Sequence, residues 1–168
     1  MIYVAPLSKL SETVERVGAR HVITLIDAAT AVERPASVLA DDHFRLDVND
    51  IVEPMEGKTL PAVHHVESVI AFARGWDRST PLVVHCWAGI SRSTAVAYVL
   101  SCALAPDRCE REIALTLRAA SPSATPNRLI VSHGDDCLGR AGRMRAAIEE
   151  IGRGETAWEG VPFLLRID

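Results

Sequence analysis

Residues 95–104 read Ala-Val-Ala-Tyr-Val-Leu-Ser-Cys-Ala-Leu. A helix apolar on all sides offers no face to water and has to lie inside a fold. Just upstream, Leu82 to Val84 reads as a short buried strand. The segment carrying Gly89 then has to turn the chain from strand to helix, so the stretch commits the protein to layered α/β architecture. Cys86 stands where the strand ends and Arg92 where the helix begins. Backbone N–H groups at a helix start have no intrahelical partner and carry the positive end of its dipole, so this loop is suited to an anion. The same field favours a thiolate over a thiol. Arg92 adds a planar fork able to hold two oxygens of one anion.

Cys86, five residues and then Arg92, within Leu-Val-Val-His-Cys-Trp-Ala-Gly-Ile-Ser-Arg-Ser, resembles the signature loop of the cysteine-dependent protein tyrosine phosphatases, closest to the dual-specificity branch. The likeness takes in the preceding strand and His85, glycine at the third loop position, the hydroxyl after the arginine and the helix behind. It implies a single α/β domain: a mixed, mainly parallel central sheet of about four or five strands with helices on both faces. It also implies hydrolysis of phosphate monoesters through a phosphocysteine intermediate. Cys86 would be the nucleophile, and the N–H groups of Trp87, Ala88, Gly89, Ile90, Ser91 and Arg92 would cradle the phosphate. Ser93 would donate a hydrogen bond to the sulfur, and His85 would fix the loop through a backbone hydrogen bond.

A leaving alkoxide or phenoxide also needs a proton, which calls for a carboxylic acid near the cysteine. The branch carries that acid just after the strand preceding the long helix, where this chain has Leu46-Asp47-Val48-Asn49-Asp50. The alignment assigns the acid to Asp50, with Asp47 in reserve. The Asp50–Cys86 spacing is a few residues longer than the branch leads one to expect, implying an enlarged or differently posed acid loop. Pro126-Asn127 resembles the family's proline–asparagine pair at a late helix start, so Asn127 is expected to support the phosphate loop. The resemblance runs from about Gly18 to Leu138, and residues 138–168 lie outside it. The implied chemistry uses no metal and no other cofactor, since thiolate, backbone dipoles and arginine meet the electrostatic need. The implied partner is a phosphorylated protein or another phosphomonoester, with phosphotyrosine or dual specificity favoured. The loop interior has no lysine, which makes highly phosphorylated inositol lipids less attractive. Two other readings stand beside it: a catalytically silent phospho-residue-binding module on the same fold, and a rhodanese-like sulfurtransferase.

The 168 residues fit one domain over 1–168. A net charge of −4 gives no sign of a polyanionic partner such as nucleic acid. Met1 to Lys9 lacks a signal-peptide pattern, and Ala95 to Ala105 is too short to span a bilayer. Cys86, Cys102, Cys109 and Cys137 show neither CxxC spacing nor metal-type pairing with histidine. The expectation is a reduced, cytoplasmic protein without membrane partners, its oligomeric state open.

Along the chain, Ile2 to Val4 reads as an edge strand and Leu7 to Val17 as a helix capped by Ser8 and stopped by Gly18. His21 to Ile26 reads as a central strand, Ala28 to Asp42 as an irregular excursion, His43 to Val48 as a strand and Asn49 to Leu60 as a loop. Pro61 to Arg74 reads as a helix with Val63, Val66, Ile70 and Ala73 inward and His64 and His65 facing solvent. Asp107 and Glu110 have capping-box spacing for a helix to Ala119. Thr125-Pro126 opens a helix to about Leu138, and Arg143 to Ile151 forms another with solvated arginines. Val161 to Ile167 is either a strand or an extended tail.

Overall fold

Short runs of β-branched, aliphatic and aromatic side chains give the chain five short strands, which pair into one sheet in the computed structural model. The structure describes residues 1–167; Asp168, the end of the expected domain, lies outside the described residues. The strands are β1 (Ile2–Pro6), β2 (His21–Leu25), β3 (His43–Leu46), β4 (Leu82–Cys86) and β5 (Phe163–Leu165), in the order β3-β2-β4-β1-β5. All pairings are parallel except β1 with β5. The expected mixed, mainly parallel sheet is therefore present. Ile2 to Val4 is not an edge strand, however: residues 163–165 return along it antiparallel, with Tyr3 opposite Leu164. Val161 to Ile167 thus resolves in favour of a strand, and that strand covers β1's open edge.

The helices are α1 (Leu10–Val17), α2 (Val63–Gly75), α3 (Arg92–Leu104), α4 (Glu110–Ala120), α5 (Arg128–Cys137) and α6 (Arg143–Ile151). On one sheet face, Leu10 and Val14 of α1 pack with Ala5, Val22 and Val83. The opposite face carries the larger core, where α3 is buried over its whole length apart from Ala103, as its all-round apolar sequence requires. Among the described residues no helix is long and apolar enough to cross a membrane.

Several helix starts differ from the sequence reading. Ser8 does not cap α1, which is entered through a 3-10 turn over Leu7–Lys9, while Ser8 Oγ donates to Glu159 Oε2 at 2.7 Å. Pro61 lies ahead of α2, where Val63 is exposed and Val69 joins the buried stripe instead. His65 does not simply face water, because its Nδ1 accepts from Ala62 N. Asp107 and Glu110 make no capping box: α4 starts at Glu110, whose carboxylate is taken by Arg140 and Arg143 at 3.0 Å each. The arginine face of α6 is accordingly ion-paired, with Arg145 meeting Asp135 and Asp136. Asn127 rather than Thr125 caps α5, its Oδ1 accepting from Leu129 N and Ile130 N.

Candidate active site

Strand β4 sits at the middle of the sheet and delivers Cys86 to its carboxyl end, the position where open α/β sheets bind ligands. The chain then turns so tightly that Gly89 lies against β1. Its φ is +69°, and a Cβ there would come within 2.7 Å of Pro6 N and 2.9 Å of Ala5 C. Only glycine meets both conditions. This is the physical reason for glycine at the third loop position.

The loop's carbonyls at Trp87, Ala88, Ile90 and Ser91 are occupied. Trp87 O accepts from Leu7 N, Ala88 O from Gly160 N, Ile90 O from Thr125 N, and Ser91 O from Asn127 N and Ala95 N. Thr94 Oγ1 also donates to Ile90 O and Ser91 O. Among the described residues, the backbone N–H groups of residues 88–91 have no acceptor. A loop with most of its acceptors engaged and its donors free has the hydrogen-bonding balance of an anion cradle.

Cys86 is buried, its Sγ 3.1 Å from Ser93 Oγ. Arg92, only 6% exposed, donates from Nη1 to Val48 O at 2.9 Å, while its Nε has no partner among the described residues. An unmatched buried guanidinium N–H is costly unless an acceptor arrives. Asp50 accepts from Ser91 Oγ at 2.7 Å and from Asn127 Nδ2 at 2.9 Å, both on Oδ1. Asp47 instead accepts from Ala28 N at 2.8 Å and does not join this group. The long acid loop also has a physical account. Asn49 and Thr59 pinch its base, Asn49 N donating to Thr59 O and Thr59 N to Asn49 Oδ1, so the additional residues loop out beyond the pinch.

His85 is fully buried with its Nε2 2.6 Å from Thr24 Oγ1, which also lies 2.7 Å from His43 Nε2. Burial pushes the His85 pKa down to about 3; the Cys86 backbone opposes that shift, and His43, Arg45 and Arg92 add to it. The ring is therefore a neutral packing and positioning group, held by Thr24 rather than by the loop backbone bond expected of it: its Nδ1 has no hydrogen-bond partner among the described residues. Cys102 lies in the core, where burial pushes its thiol up to about 12, which leaves it a structural thiol.

The fold brings together Cys86, Arg92, Ser93, Asp50 and Asn127, the five residues to which the sequence reading gave roles. That reading missed Thr24, a buried hydroxyl within an apolar strand. It also missed the segment 152–160, which reaches the loop through Gly160; the close approach of its glycines was the available signal.

No protein-family model matches the sequence, and no curated protein matches it by sequence. Solved structures do resemble the fold. A phosphatase, PTP-2, from Cydia pomonella is 16% identical with a TM-score of 0.63, over 80% of this chain and 84% of its own. Human DUSP28 is 18% identical with a TM-score of 0.64, over 83% of this chain and 92% of its own. PTPMT1 in complex with PI(5)P is 17% identical with a TM-score of 0.58, over 84% and 94%. The chain therefore has the fold of the tyrosine and dual-specificity phosphatases that it resembles in structure.

Proposed function

We propose that the protein hydrolyses phosphate monoesters through a phosphocysteine intermediate, as a protein tyrosine or dual-specificity phosphatase. The observation that carries this reading is the loop over Cys86, with free N–H donors, engaged carbonyls and the unmatched Nε of Arg92. In the first step the Cys86 thiolate attacks phosphorus, forming an S–P bond as the ester P–O bond breaks. The loop amides and Arg92 hold the equatorial oxygens as charge redistributes. Asp50, protonated in the reactive form, gives its proton to the leaving oxygen. Water then attacks the phosphocysteine and Asp50 takes its proton, while Ser93 donates to the departing sulfur.

A carboxylate held against the loop is what a hydrolase requires and a rhodanese-like sulfurtransferase does not, so Asp50 favours the phosphatase reading. With Cys86, Arg92 and Asp50 all present, nothing favours a catalytically silent binding module. The substrate class proposed is a phosphorylated protein, and a cytoplasmic, reducing location suits the free thiols.

Cys86→Ser is expected to abolish turnover of p-nitrophenyl phosphate while keeping affinity for tungstate measured by calorimetry. Turnover near the wild-type rate would remove the cysteine from the chemistry.

A further inference from the structure

Beside the loop lies a cavity of about 420 Å³ whose wall includes Asp50 and Ser91, so it is continuous with the candidate active site. Its far wall is Ile148 of α6 and the segment that follows, outside the part of the chain that resembles the phosphatases in sequence. Arg128, Arg153 and Glu155 also line it. Arg128 and Arg153 are exposed and have no hydrogen-bond or ion-pair partner among the described residues. Other arginines of this region are engaged: Arg118 holds Pro122 O, Ile151 O and Gly152 O, and Arg145 pairs with Asp135.

The wall is firmly built. Gly154 N donates to Thr125 Oγ1 at 3.1 Å, and Glu155 N donates to Pro122 O at 2.9 Å. A Cβ on residue 154 would come within 2.5 Å of Ser123 C, so the segment is drawn in as far as backbone allows. Further on, Gly160 N fastens it to Ala88 O of the loop at 2.8 Å. Two unpaired guanidinium groups thus edge a fixed cavity that opens onto the acid and the loop.

We infer that this cavity is a specificity subsite for a second anionic group of the substrate, a phosphate or carboxylate carried by the same molecule as the reacting phosphomonoester. The inference rests on the hydrolase reading and names the substrate within it. Guanidinium forks match such groups bidentately. Glu155, on the same wall, repels an anion that lacks the geometry to reach both arginines, which makes the subsite selective rather than generally basic.

The test compares substrates differing only in the second anion: a tyrosine-phosphorylated peptide with and without one further phosphate, and a phosphorylated polyol with one phosphate or two. The wild type is expected to favour the doubly anionic member of at least one pair by about tenfold in kcat/KM, mainly through KM. The pair that discriminates identifies the source. Arg128→Ala combined with Arg153→Ala should bring that ratio close to one, and Glu155→Gln should raise it. Equal handling of both pairs by the wild type, or a ratio unchanged in the double variant, overturns the subsite. If the wild type turns over no phosphomonoester, the hydrolase reading fails separately. The subsite is then read from affinities of the same pairs for Cys86→Ser, where equal affinities overturn it.

Discussion

Asp50 and Asp47 are three residues apart yet differ in what holds them. Ser91 and Asn127 draw Asp50 to the loop, whereas Asp47 is committed to the Ala28 backbone. Asp50→Asn should therefore lower kcat for an aryl phosphate by about 10²–10⁴-fold, the range a general acid supplies. Asp47→Asn should change it only a few-fold, and the reverse order would transfer the acid's role to Asp47. Thr24 poses a second single-residue question. Its one hydroxyl proton serves a single imidazole, so of His85 and His43 one accepts from Thr24 and the other donates to it through Nε2–H. Burial lowers the pKa of both rings, which fits two neutral imidazoles. Thr24→Val leaves Nε2 of His85 unmatched at full burial and should cost about 1–3 kcal/mol in chemical denaturation. A variant as stable as the wild type would mean the ring finds another partner.

Helices α5 and α6 meet at a corner built on one carboxylate. Asp135, fully buried, accepts from Gly142 N at 2.6 Å, Met144 N at 2.8 Å and Arg145 N at 3.3 Å, serving as a remote cap for the start of α6. Asp135→Ala strands those donors and is expected to destabilise the fold by about 3 kcal/mol, seen as a lower Tm. Because α6 also leads into the cavity wall at residues 152–157, the same variant tests how far that wall depends on the corner. Nothing in the sequence around Asp135 marks it as a cap, since its partners come from the next element. The same distinction decides what was legible elsewhere. Helix α3 and the Cys86–Arg92 spacing could be read because each is local: burial follows from composition, and the loop's chemistry from seven consecutive residues. The flanking of β1 by β5 could not, because β1's own residues do not say whether a distant segment returns beside them. Glu110 misled for a related reason. Its spacing from Asp107 fits a capping box, but two arginines from beyond α5 bind it instead. Asn127 was found by resemblance, yet its double use, Oδ1 capping α5 and Nδ2 holding Asp50, follows only from the packed geometry.

At the scale of the whole molecule, the central strand carries a buried neutral histidine next to Cys86, and that ties stability to pH. The His85 pKa falls from an unfolded value near 6.5 to about 3 in the fold. Between those values the unfolded chain binds a proton that the native state refuses, so stability rises with pH. The contribution is fully present above about pH 6.5 and is lost as pH falls toward 3. His43 and His65, lowered chiefly by burial, act in the same direction. Glu110 acts lower. Burial works against its charge, but hydrogen bonds from Arg143 and its own backbone, with both arginines' charges, hold its carboxyl below the usual range, so its contribution is lost only under more acidic conditions. Going from pH 7 to 4.5 should thus reduce the unfolding free energy by about 2 kcal/mol through His85 alone. In His85→Asn, which keeps a polar side chain facing Thr24 and cannot titrate, most of that slope should disappear even if the variant is less stable at pH 7. An unchanged slope from pH 7 to 4.5 would mean that the ring beside Cys86 accepts its proton without unfolding. The neutral positioning role assigned to it would then have to be given up.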